Sequence, residues 1–307
     1  MDISFKALTA CALCPRNCGA NRFAGKSGYC RSGHEYAISS VVAHRGEEPP
    51  VSGMHGIANV FFSHCNLQCI YCQNFQISSN LSACSSKYHH FEKVLSDIHN
   101  LLESGCRAIG FVSPSHQIPQ MISIIRAFEN FRPKPVFVYN SNGYDRVETL
   151  KQLEGLIDVY LPDMKYLDSG LASALSDAKD YPAVARKALK EMFRQKGSVL
   201  HYLDENHVES GMIIRHLVLP GYVENSLNVL RFIAEELSPK VHISLMSQYY
   251  PVHNALMRKD INRPLNKKEY DVVVAEAEKL GLTNGWIQQL DSKDHYRPDF
   301  DNTHPFE

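Results

Sequence analysis

The chain has 307 residues, and its 32 Lys plus Arg nearly balance 33 Asp plus Glu. A formal net charge of −1 and a pI near 6.9 argue against binding nucleic acid or a membrane surface by bulk electrostatics. At 44% hydrophobic and 21% charged, the composition excludes a fibrous or wholly disordered chain and suits one large domain, alone or with a small appendage.

Residues 1–50 are rich in Cys, Gly and Arg, lack periodicity, and end in Gly46-Glu47-Glu48-Pro49-Pro50. This reads as a small metal-stapled module with a stiff linker or lid, ahead of a main domain over 51–307. Glu47 and Glu48 either cover the main domain or belong to a solvated acidic linker. The N-terminus shows no basic stretch followed by an apolar one, so a cytoplasmic protein is expected. Long uncharged stretches such as Ala108 to Ile125 carry Ser, Pro, His and Gln and do not read as bilayer spans.

From Ile57 onward, short apolar runs alternate with helical patterns. Strands are expected at Ala58–Ser63, Ala108–Ser113, Pro135–Asn140, Ile157–Pro162, Met212–Leu219 and Val241–Met246, each apolar enough for burial on both faces. Helices are expected at Phe91–Glu103, Tyr181–Gln195, Asn225–Leu237 and Lys267–Leu280, the last ending at Gly281. Six strand–helix alternations predict an α/β fold with a parallel sheet, either open or a partial barrel. In both, ligands gather at the C-terminal ends of the strands.

Cysteine is the informative residue. Nine cysteines without an export signal argue against a disulfide framework, and seven of them fall in two tight groups, which points to metal. Cys84 and Cys106 stand alone and read as small apolar or surface residues. The first group, Cys11, Cys14, Cys18 and Cys30, offers four thiolates for a closed site that Zn²⁺ or an iron–sulfur cluster would accept. The second, Cys65-x3-Cys69-x2-Cys72, follows the first expected strand and has Tyr71 before its last cysteine. Three thiolates on one loop hold three irons of a [4Fe–4S] cluster and leave the fourth iron open. The alternative is a zinc site completed by His64 or a distant residue.

The spacing and the aromatic resemble the signature of the radical S-adenosylmethionine (SAM) superfamily. The stretches GEEPPVSG, FFSHCNLQCIYCQNF, FVSPSHQIPQ, YNSNGYD, YLPDMKYLD, IIRHLVLPG, SLMSQYYP and NGWIQ resemble more narrowly an uncharacterised branch related to pyruvate formate-lyase activating enzymes. The resemblance runs from about Cys11 to Gln288. It implies a partial (β/α)6 barrel with a [4Fe–4S] cluster at its mouth and SAM bound to the open iron. Reductive cleavage of SAM then yields a 5′-deoxyadenosyl radical that takes hydrogen from a small-molecule or peptide substrate. A flavodoxin or ferredoxin is the implied electron donor.

Pocket residues follow from strand ends. Ser113, Ser115 and His116 stand where many such enzymes hold the SAM amino group with Gly-Gly-Glu, a departure from that pattern. Asn140 and Asn142 end the third expected strand and suit a zwitterion. Asp163 and Lys165 resemble the Asp-x-Lys near SAM in glycyl-radical activating enzymes, and Arg215 the arginine that faces SAM there. As residues, they are charges at buried strand positions that need partners. His216 points away from Arg215 and reads as structural. Gln248 and Tyr249 are further pocket candidates at the sixth strand, Tyr249 as a catalytic proton or electron shuttle, with packing of the turn as the alternative reading. Two other readings stand beside the radical enzyme: an activase placing a glycyl radical on a partner enzyme, and a non-enzymatic electron-transfer or metal-sensing protein.

Overall fold

The computed structural model describes residues 3–80, 89–294, 297–302 and 304–306; Cys84 lies outside them. The strands are β1 Ile38–His44, β2 Ile57–Phe62, β3 Ala108–Val112, β4 Val136–Ser141, β5 Val159–Pro162, β6 His201–Asp204, β7 His207–Leu217, β8 His242–Met246 and β9 Gly285–Ile287. The helices are α1 Pro49–Ser52, α2 Phe75–Ser78, α3 Phe91–Glu103, α4 Ile118–Phe128, α5 Val147–Gln152, α6 Ser169–Ser176, α7 Tyr181–Lys196, α8 Val223–Phe232 and α9 Lys267–Lys279.

The strands form one sheet in the order β1-β2-β3-β4-β5-β7-β8-β9, with β6 paired to β7 at the side. Along that order from β2 to β9 every neighbouring pair is parallel, while β6 pairs β7 antiparallel, so the chain is mixed α/β with a parallel sheet. β1 adds an antiparallel edge on β2, so residues 38–44 belong to the sheet rather than to a linker.

All six expected strands form. β2 and β5 are buried along their whole length, as continuous apolar runs between two layers must be. The helices supply the outer layer: Val94, Ile98 and Leu102 of α3, and Ala185, Leu189 and Met192 of α7, are buried in one large apolar cluster. A second cluster lies on the sheet's other face, where Ile57, Ala108, Val136, Val159 and Ile213 near the strand beginnings meet Val51 of α1. α8 ends at Phe232 and a wider π turn, Ile233–Leu237, completes the expected helix.

Three strands were not legible in the pattern. β1 contains Ser39 and Ser40, and β6 is exposed throughout, so neither reads as an apolar run. β9 has three residues and depends on Gly285, where φ is +116° and an added Cβ would lie 1.9 Å from the Ile243 carbonyl oxygen. Among the described residues no helix is long and apolar enough to cross a membrane.

His216 lies on the helix-covered side of β7, as expected. Its Nδ1 is 2.6 Å from the Met164 carbonyl and its Nε2 2.8 Å from the Ser226 hydroxyl, which fits a neutral ring donating at one nitrogen and accepting at the other. Burial pulls its pKa down to about 4. The unfolded chain takes up a proton near pH 6.5 that the folded ring refuses, so stability should fall as pH drops from 7 toward 4. Urea midpoints across that range should show His216→Asn with the shallower fall, by at most about 3 kcal/mol in total.

Candidate metal and cofactor site

The second cysteine group leaves the C-terminal end of β2 through Ser63 and His64, the latter at φ +67°. Each sulfur is met by one side-chain donor from another part of the chain. Asn142 Nδ2 donates to Cys65 Sγ at 3.3 Å, the Ser176 hydroxyl at the end of α6 to Cys69 Sγ at 2.9 Å, and the Ser78 hydroxyl at the end of α2 to Cys72 Sγ at 3.2 Å. Asn142 is held in turn: its other contact is Asn66 Oδ1 at 2.7 Å, and its carbonyl accepts from Tyr181. Gly143 permits this turn, since at φ +79° a Cβ would stand 2.1 Å from the Asp163 carbonyl oxygen.

The three cysteines line one cavity of about 240 Å³. Ser113, Asn140, Asn142, Asp163, Lys165, Arg215 and Gln248 line it too, so most of the residues expected from strand ends come together. Ser113 reaches it in the left-handed region at φ +53°, its backbone NH bonded to the Asn140 carbonyl. Lys165 Nζ donates to Asp163 Oδ2 at 2.5 Å. Burial works against the Lys165 charge, but Asp163 and Cys69 outweigh it and keep the ammonium protonated. As free thiols, Cys65 is pushed by burial up to about 12 and Cys69 up to about 11, despite Lys165 beside it. A metal must therefore displace protons on binding.

Among the described residues no three His, Cys, Asp or Glu side chains converge tightly enough to hold a single metal ion, so a zinc site with His64 finds no preformed geometry. A four-iron cluster asks for something different: three sulfurs spread around a hollow, each taking its own iron. The donor set fits that group, with three cysteines around one cavity and a side-chain hydrogen bond to each sulfur.

The remaining expected residues are elsewhere. Ser115 is buried with its hydroxyl 3.5 Å from Tyr139 Oη, and His116 Nε2 is 2.9 Å from the Ser63 carbonyl. Neither lines the cavity. Tyr249 is also outside the lining; its hydroxyl donates to the Ile261 carbonyl at 2.7 Å and its ring packs 5.9 Å from that of Tyr71. These contacts hold a buried turn together and do not present the phenol to the cysteines.

Arg215 finds its anions within the chain. Its Nε donates to Glu48 Oε1 at 2.8 Å, and its Nη2 to Glu48 Oε2 at 2.5 Å and to Glu47 Oε2. Glu47 Oε1 also accepts from Asn59 of β2 at 2.8 Å and Asn140 of β4 at 3.3 Å. Burial favours a neutral Glu47, but Arg215, His44 and the hydrogen bond from Asn59 outweigh it and hold the carboxyl well below the usual range. Glu47 and Glu48 are thus a buried acid pair, and the reading of a solvated linker is corrected. Both also line a larger cavity of about 750 Å³ with Tyr202, Ser244 and Trp286, so the ion cluster forms a wall shared by two cavities. Sequence reasoning did not connect Arg215 to the glutamates 167 and 168 residues away. It also missed Ser78 and Ser176, whose only signal was a hydroxyl at a helix end.

In the first group, Cys11, Cys14 and Cys30 are buried and Cys18 is exposed. The lone Cys106 is buried, its Sγ 3.6 Å from the His55 carbonyl.

No protein-family model matches the chain. An uncharacterised protein of Methanocaldococcus jannaschii is 28% identical over 289 residues, spanning 92% of this chain and 78% of that one. Crystal structures of Streptococcus suis SuiB superpose with a TM-score of 0.49: SuiB itself at 13% identity over 74% of this chain, and its complex with S-adenosylmethionine at 12% over 74%. The match takes in 47% and 48% of those chains, so this chain spans about half their length.

Breaking a buried ion pair strands the remaining charge. Arg215→Met should lower unfolding stability by roughly 3–5 kcal/mol in urea titration. Changing Glu47 and Glu48 to Gln in the same chain should restore most of that loss, because no unpaired charge remains.

Proposed function

We propose that this chain is a radical SAM enzyme: a partial (β/α)6 barrel that holds a [4Fe–4S] cluster on Cys65, Cys69 and Cys72. The observation that carries the reading is the set of three cysteines around one cavity, each sulfur with its own donor, beside Asp163, Lys165, Ser113 and Asn140. The curl of the sheet supports the barrel. β2 and β7 are four strand spacings apart, roughly 19 Å in a flat sheet. Yet Asn59 of β2 and Arg215 of β7 bond to one Glu47 carboxylate.

When bound, the cluster supplies one electron to SAM and so yields the 5′-deoxyadenosyl radical that takes hydrogen from a small-molecule or peptide substrate. The chain's own residues have narrower tasks. Asp163 and Lys165 set a negative and a positive group side by side in the cavity, matching a ligand with both an ammonium and a carboxylate. Asn140 and Ser113 add neutral donors and acceptors on the same lining. Gln248, with its side-chain oxygen held by Gln288 at 2.8 Å, borders the cavity from the end of β8. The donors from Asn142, Ser176 and Ser78 offset negative charge on the three sulfurs. A low-potential protein such as a flavodoxin or ferredoxin is the electron source under this reading.

Anaerobically reconstituted protein with dithionite and SAM should release 5′-deoxyadenosine, detected by chromatography, and Cys69→Ala should release none. A full iron count with no product from the parent protein would count against the reading. Hydrogen bonds to cluster sulfurs raise the reduction potential, so Ser176→Ala should lower the midpoint in a redox titration followed by EPR without reducing the iron count.

A further inference from the structure

Arg22 is 3% exposed and carries a guanidinium that stays charged in any protein environment. Its Nη1 donates to the His116 carbonyl at 2.7 Å, and its Nη2 to Cys11 Sγ at 3.1 Å and Cys30 Sγ at 3.6 Å. None of these partners is a carboxylate. A buried cation is strongly destabilising unless an anion faces it. The groups beside Arg22 able to become anionic are the cysteines of the first group, and metal binding is what makes thiols anionic outright.

The backbone gathers those cysteines. Cys11 donates its NH to the Ala20 carbonyl at 2.9 Å and accepts at its own carbonyl from the Gly19 NH at 2.9 Å, which folds the Cys18 turn back on Cys11. Cys18 Sγ lies 3.9 Å from the Cys11 carbonyl oxygen. Asn17 and Arg31, next to Cys18 and Cys30, both sit in the left-handed region at φ +42° and +54°, where the chain reverses tightly.

We infer that Cys11, Cys14, Cys18 and Cys30 hold a second, coordinatively closed iron–sulfur centre, with Arg22 as its buried counter-charge. The four sulfurs are not drawn together around a single ion, which leaves zinc without preformed geometry here too. Four thiolates on a four-iron cluster, one to each iron, leave net negative charge, and the guanidinium meets it. The centre backs directly onto the loop that carries Cys65, Cys69 and Cys72. Arg22 bonds the His116 carbonyl while the His116 ring bonds the Ser63 carbonyl, and Arg16 Nε donates to the Asn66 carbonyl at 2.9 Å. Asn80 joins the Tyr29 carbonyl at 3.0 Å to the Cys65 carbonyl at 2.9 Å. Loading the second centre therefore also stiffens the loop that carries Cys65.

The test uses the full chain with Cys65, Cys69 and Cys72 all changed to Ala, so its outcome is independent of SAM chemistry. After anaerobic reconstitution with iron and sulfide, this variant should retain metal. Iron–sulfur absorbance with about four irons supports the centre, whereas colourless protein holding one zinc after purification with zinc would overturn its cluster form. Adding Cys18→Ser, at an exposed position that leaves the core intact, should abolish retention. Arg22→Gln should speed metal loss to a chelator at least roughly tenfold, with Arg22→Lys in between. Absence of iron from the triple variant, with unchanged circular dichroism, would overturn the centre. Full retention after Cys18→Ser would overturn its four-thiolate form, and a chelation rate unaffected by either Arg22 substitution would overturn the counter-charge.

Discussion

A guanidinium inside a parallel sheet has to be met by an anion, and that requirement places residues 45–52. Arg215 stands in the buried part of β7, and the carboxylates that meet it come from the turn between β1 and β2. Once Glu47 and Glu48 are drawn inward, Pro49 to Ser52 are carried onto the sheet's inner face, where Val51 joins the apolar residues of the strand beginnings. The same carboxylate bonds Asn59 and Asn140, so one acid joins β2, β4 and β7 across the inside of the curl. Removing it would loosen strands that are not neighbours, which backbone ladders alone do not tie together.

Charge near the sulfurs is handled in two different ways. At the Cys65–Cys72 loop the side-chain donors to sulfur are neutral, two hydroxyls and an amide, and the nearby cation Lys165 is partly spent on Asp163. At the N-terminal group, the cation itself touches two sulfurs and has no carboxylate partner among the described residues. The first arrangement leaves a cavity bordered by both signs of charge, suited to a polar ligand. The second matches charge to charge and leaves little for a ligand to add.

The parallel core was legible because its strands are short continuous apolar runs, a pattern that burial on two faces demands. The strands that escaped were those whose partners, not their own side chains, define them: β1 with its serines, the exposed β6 and the three-residue β9. The candidate site divides along the same line. Cysteine spacing is local, and strand ends converge by topology, so Cys65, Cys69, Cys72, Asp163 and Lys165 were found together. The partner of Arg215 was not, because an ion pair across 167 residues leaves no periodic trace. Strand position leaves Tyr249 open between chemistry and turn packing, and its backbone acceptor at Ile261, a tertiary fact, favours the packing.

Proline and glutamate in Gly46-Glu47-Glu48-Pro49-Pro50 suit a linker or a lid by composition, since each favours solvent and extended chain on average. Averages fail where a single buried cation changes the sign of the transfer free energy. Beside Arg215, His44 and Asn59, an ionised glutamate is more stable inside than its neutral form, which holds its carboxyl well below the ordinary range. Proline then helps for the opposite reason to the usual one: it contributes no NH that would need an acceptor at the start of α1, a helix of one turn against an apolar floor. A segment with the composition of a linker thus folds as an internal strut, because the charge it answers lies on a strand that comes more than one hundred residues later.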